Sequence, residues 1–112
     1  MANALKILGQ LNPTANTQGN VYVVPSSTSA IVNNITVNNQ AATNASYSII
    51  VIPSGSYASP AANTYYVIRG GIVAASDVVT LGLGLTLPAG TILAGNTNSG
   101  SISISAFGVE IS

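Results

Sequence analysis

The last twelve residues, Ser101 to Ser112, read SISISAFGVEIS, and no other stretch limits the fold so tightly. Ile102, Ile104 and Ala106 alternate with Ser101, Ser103 and Ser105. A two-residue period puts apolar groups on one face of an extended chain and hydroxyls on the other, the pattern of a half-buried strand. After Ala106 the phase changes, and Phe107, Val109 and Ile111 become the apolar series against Gly108, Glu110 and Ser112. A slip of one residue exchanges the faces of a strand. Keeping apolar groups inward therefore requires a bulge or bend near Ala106–Phe107. Such a strand can turn a corner and serve both sheets of a two-sheet fold.

The preceding chain is punctuated in the same way. Residues 1–12 include ALKILGQL, with Gly9 inside it and an Asn12-Pro13 stop after it, which favours an N-terminal arm or first strand over a helix. Val21 to Pro25 is β-branched and aromatic. Thr28 to Asn38 is a long strand with Ile31, Ile35 and Val37 on one face and Asn33 interrupting it. In Ala45 to Pro53, Tyr47, Ile49 and Val51 share a face, while the other begins polar at Ser46 and Ser48 and turns apolar at Ile50 and Ile52. That end is buried on both sides, against another subunit or beneath a loop. Thr64 to Ile68 is a strand, Arg69-Gly70-Gly71 a turn, and Ile72 to Ala75 a short return strand. Asp77 to Leu87 alternates Val79, Leu81, Leu83, Leu85 and Leu87 against a face containing Gly82 and Gly84, whose missing side chains admit another sheet or chain. Thr91 to Ala94 is the last short strand before the terminal one. Seven to nine short strands with regular turn signals predict an all-β fold: a single-domain antiparallel β-sandwich, jelly-roll-like, spanning residues 1–112.

Composition narrows the chemistry. Charged residues make up 4% of the chain (Lys6, Arg69, Asp77 and Glu110), against about 25% in an average domain. The net charge is zero, so nothing draws in nucleic acid or an anionic membrane over distance. There is no histidine or cysteine, which leaves no ordinary metal ligand set and no hydrolytic triad; no cofactor or metal is expected. Lys6 is the one lysine a Ser-Lys pair could use, and Asp77 and Glu110 read better as partners of Arg69, Lys6 or solvent than as a glycosidase pair. The chain reads as no enzyme. Strong hydrophobicity (47%) with so little charge fits a surface that meets other protein. Candidate interface residues are Leu5 and Ile7 in the arm, Ile50 and Ile52, the tyrosines Tyr65 and Tyr66, and Gly82 and Gly84. The N-terminus lacks the continuous apolar run of a signal peptide, and no stretch is long enough to span a membrane as a helix.

Leu8-Gly9-Gln10 followed by Pro13, then Tyr22-Val23-Val24-Pro25, the strand Ile31 to Asn38 and the closing Phe107-Gly108-Val109-Glu110-Ile111-Ser112 resemble small virion structural proteins of tailed bacteriophages, cyanophages among them. The resemblance covers nearly the whole chain. Many such proteins carry a cysteine before the Asn of the third strand, where this chain has Val37. The resemblance implies a particle component with a β-sandwich fold and no catalytic residues, made in the host cytoplasm. A capsid decoration or cement protein is the first expectation. It would be a homo-oligomer, a trimer by the resemblance, clamping the major capsid protein or other virion proteins, with the N-terminal arm adding a strand to a neighbour. The alternative is a tail, baseplate or fibre component whose tyrosines and polar loops, Asn38 to Asn44 and Asn96 to Gly100, touch host glycans. A self-assembling extracellular filament or coat subunit is a third reading.

Overall fold

A computed structural model describes the backbone of residues 3–58, 61–82 and 84–111, and the side chains of all of these but 3–6. The fold is all-β. Among the described residues nine strands form in chain order: β1 (Asn3–Leu11), β2 (Gly19–Val23), β3 (Ser29–Asn39), β4 (Ala45–Ile52), β5 (Tyr66–Val73), β6 (Val78–Leu81), β7 (Leu85–Leu87), β8 (Ile92–Thr97) and β9 (Ile102–Ile111). A 3-10 turn, Asn63–Tyr65, precedes β5. All pairings are antiparallel. Sheet A has the order β1-β9-β3-β6, with β7 also on β3; sheet B has the order β2-β8-β4-β5. Because β6 and β7 lie end to end along β3, they act as one interrupted strand. The result is two four-stranded layers in the strand order of a jelly roll.

The core between the sheets follows from alternation. Ile102, Ile104 and Ala106 of β9 face Ile35 and Val37 of β3, and across the gap they meet Tyr47, Ile49 and Leu93 of sheet B. Ile35, Ile49, Ile102 and Ile104 are fully buried, each stabilising the fold by about 1.5–3 kcal/mol. Asn39 ends β3 inside this core. Its side-chain amide donates to the carbonyls of Thr43 (2.8 Å), Val73 (3.3 Å) and Ala74 (3.2 Å), and its Oδ1 accepts from the Ala41 amide. One buried polar side chain thus ties the end of sheet A to sheet B.

Four expectations change. First, of the two readings of the N-terminal segment, the first strand holds and the free arm does not. Its backbone pairs with β9 along its length, from Asn3 opposite Ile111 to Leu11 opposite Ile104. Second, β9 does not turn a corner. It stays central in sheet A and keeps one phase, with Gly108 buried in line with Ile102, Ile104 and Ala106. The irregularity foreseen at Phe107 sits in both neighbours: Leu8 is the extra residue in β1 and Asn33 in β3, each beside Phe107. The bulge in β3 moves its inner face from Ala30 and Val32 to Ile35 and Val37, so Ile31 lies on the outer face instead of sharing one with Ile35.

Third, Arg69-Gly70-Gly71 is not a turn. Tyr66 to Val73 is one strand, bulged where Arg69 and Gly70 together oppose Ser48, with Gly70 at φ 71°. Glycine adopts this left-handed geometry without steric cost, so the chain kinks and continues. Fourth, Asp77 to Leu87 is two strands. Val79 and Leu81 pair with Val37 and Ile35, and Leu85 and Leu87 with Val32 and Ala30, so the apolar face is kept across the interruption. Leu83 lies outside the described residues.

Candidate functional site

Each sheet has an outer face, and each outer face has an apolar end and a polar end. On sheet A the line of bulges through Leu8, Phe107 and Asn33 separates them. On one side stand Ser103, Ser105, Gln10, Thr36 and Thr80. On the other, three adjacent strands bring Ile7 of β1, Phe107, Val109 and Ile111 of β9 and Ile31 of β3 into one patch. Ile7 is 53% exposed and the other four are half-buried. Leu5 holds the register position opposite Val109; its side chain lies outside the described residues.

The patch exists because β9 does not change phase. Gly108 and Glu110 take the inward positions that apolar residues would ordinarily fill. A Cβ at Gly108 would stand 1.9 Å from the carbonyl oxygen of Ile31, so only glycine fits where β9 and β3 approach. Glu110 accepts a short hydrogen bond from the Tyr22 hydroxyl, which reaches across from sheet B. Burial first, and then this carboxylate, push the Tyr22 hydroxyl well above the ordinary tyrosine range. A carboxylate directed inward and three apolar side chains directed outward invert the usual arrangement.

On sheet B the apolar end of the outer face is closed. Ile50 and Ile52 of β4, with Ala94 of β8, are covered by Ala61, Tyr65 and Tyr66 from the β4–β5 connection and the start of β5. Ile50 and Ile52 are 0% exposed. They are therefore removed as interface candidates: the chain's own connection supplies the second burial. Tyr65 and Tyr66 act chiefly as that cover and keep part of their surface. The Gln18 side chain holds the cover down, donating from Nε2 to the Ala58 carbonyl (2.8 Å) and accepting the Ala61 amide at Oε1 (3.0 Å). Gly82 and Gly84 flank the break between β6 and β7 at the exposed edge of sheet A, and a Cβ at Gly84 would meet no atom of the described residues within 4 Å.

The polar end of that same outer face is a shallow cleft of about 180 Å3. Ser46 and Ser48 of β4, Asn96 and Asn98 at the end of β8, and Tyr66 and Arg69 of β5 line it. Ser48 and Asn96 are cross-strand partners, and the β5 bulge sets Arg69 beside them. The Arg69 guanidinium lies 4.8 Å from the centre of the Tyr66 ring and donates to Asn63 Oδ1. Asn98 Oδ1 accepts the Ser46 amide (2.9 Å), and Ser48 Oγ accepts the Gly70 amide (3.3 Å). The sequence pointed to parts of this site separately: Ser46 and Ser48, polar at the start of a face that turns apolar, the tyrosine Tyr66, and the polar loop Asn96 to Gly100. Of the two polar loops, the one at residues 38–44 spends Asn39 and Asn44 on internal bonds, while the one at 96–100 contributes Asn96 and Asn98 to the cleft.

Comparison with protein-family models, curated proteins and solved structures finds no match to this chain.

Proposed function

We propose that this chain is a non-enzymatic structural subunit that works by assembling with further copies of itself: a decoration protein on the capsid of a tailed bacteriophage, where the resemblance by itself implies only a component of the particle. The observation that carries this reading is the outward apolar patch of Ile7, Ile31, Phe107, Val109 and Ile111. A flat sheet face of this kind is stable in water once another apolar surface covers it. The occupant that fits is a second copy. None of the five residues carries charge, so two such patches meet without bringing like charges together. Jelly-roll domains recur in viral shells and in lectins, which supports the reading as an analogy of fold alone.

The polar cleft on sheet B favours a second reading, a tail or fibre component touching surface glycans. Counting copies in purified particles of the source phage, against the major capsid protein, separates the two. Comparable numbers support decoration. A count orders of magnitude lower moves the subunit to the tail, and absence from the particle removes both.

A further inference from the structure

We infer that the cleft of Ser46, Ser48, Tyr66, Arg69, Asn96 and Asn98 binds an acidic sugar residue of the uronic acid class, a pyranose bearing one carboxylate. This holds whether the subunit sits on the shell or the tail, because it rests on the cleft alone. Arg69 is the starting point. Its partners among the described residues, Asn63 Oδ1 and the Tyr66 ring, are both neutral, and no carboxylate lines the cleft. A guanidinium has five donors in a planar fork, and one hydrogen bond to Asn63 leaves a pair for a carboxylate. The contact with Tyr66 and the β5 bulge fix the fork in place, which lowers the ordering cost of binding.

The rest of the wall selects sugar over a simple anion. Asn96 makes no side-chain hydrogen bond among the described residues, and Asn98 uses its carbonyl oxygen but not its amide nitrogen. Ser48 accepts from Gly70 and keeps its own proton to donate. The cleft therefore offers donors and acceptors together. Sugar hydroxyls also donate and accept, so they satisfy both; a fully ionised inorganic anion such as sulfate accepts only and leaves the Asn96 carbonyl and serine oxygens unmatched. A phosphate dianion would in addition carry more charge than one arginine neutralises. A volume of about 180 Å3 accommodates one pyranose ring, which makes this a subsite for a single residue, with affinity in the range of about 1–10 mM for the free monosaccharide.

Titration of the 15N-labelled protein with sodium glucuronate, followed by amide shifts, tests the inference. Shifts confined to residues 46–48, 66–70 and 96–98, with glucose and sodium acetate each binding at least tenfold more weakly, are expected. Arg69→Gln should weaken glucuronate at least tenfold. Because Arg69 also braces Tyr66, Asn96→Ala serves as a second variant, with a loss of threefold or more at unchanged melting temperature. Acetate binding as tightly as glucuronate would reduce the site to a small-anion site and overturn the sugar assignment. Glucose equal to glucuronate, or both variants binding like the wild type, would overturn the role of Arg69 and the cleft.

Discussion

The apolar ends of the two outer faces were set the same problem and met it differently. On sheet B, Ile50 and Ile52 project away from the central core and the chain folds its own β4–β5 connection over them, leaving neither exposed. On sheet A, Ile7, Ile31, Phe107, Val109 and Ile111 project outward in the same way, and no described segment crosses them. The difference lies in what the sequence provides nearby. Sheet B has a long connection with two tyrosines and a glutamine clamp. Among the described residues, no comparable connection lies beside the apolar end of sheet A. One face is covered within the chain; the other, uncovered by any described segment, is the face the proposed assembly would use.

The largest effect should come from the residue that keeps β9 in phase. Gly108→Ala drives a Cβ into the Ile31 carbonyl, 1.9 Å away, and should cost about 3 kcal/mol or more or prevent folding, read by urea denaturation. On the covered side, Ile52→Ala should cost about 2–4 kcal/mol, the loss expected in a true core. A loss below about 1 kcal/mol would mean that the cover is loose and the two faces are alike. Gln18→Ala removes both clamping hydrogen bonds and should cost about 1–2 kcal/mol, with amide exchange faster at Ala61 and in its neighbours.

The Tyr22–Glu110 contact beneath the bare patch gives a pH signature. The Tyr22 hydroxyl keeps its proton in the folded protein above the pH at which it ionises in the unfolded chain, about 10. The folded state then holds more protons than the unfolded one, so stability is intact below pH 10 and falls above it, by up to about 1.4 kcal/mol per pH unit. Tyr47, raised by burial, adds in the same direction. Tyr22→Phe should flatten part of this slope in thermal unfolding from pH 9 to 11; an unchanged slope would sink the assignment.

The elements were legible because period-2 alternation was strong, and the double burial of Ile50 and Ile52 was legible too, although not which of two partners covers them. Three things were hidden for one reason. The outward turn of Phe107, Val109 and Ile111, the bulge at Arg69–Gly70 and the cleft at Ser48 and Asn96 all depend on register between strands distant in sequence. In β9 the rule that apolar residues face inward predicted a phase change. The glycine at 108 and the Tyr22 partner of Glu110 make the opposite arrangement stable, and Tyr22 lies 88 positions away. Likewise, Arg69-Gly70-Gly71 carries the residues of a turn, and only pairing with Ser48 makes it a bulge.

The smallest expected effect on folding belongs to the most exposed residue of the apolar patch on sheet A. Ile7→Lys alters a side chain already 53% exposed and should shift stability by no more than about 0.5 kcal/mol. Sedimentation equilibrium of the wild type and Ile7→Lys, across micromolar concentrations, is the most direct test of the bare face as a contact between copies. The account predicts a wild-type mass that is a multiple of the chain mass, and a folded monomer for the variant. A wild type that stays monomeric throughout, or a variant that assembles as well as the wild type, would contradict it.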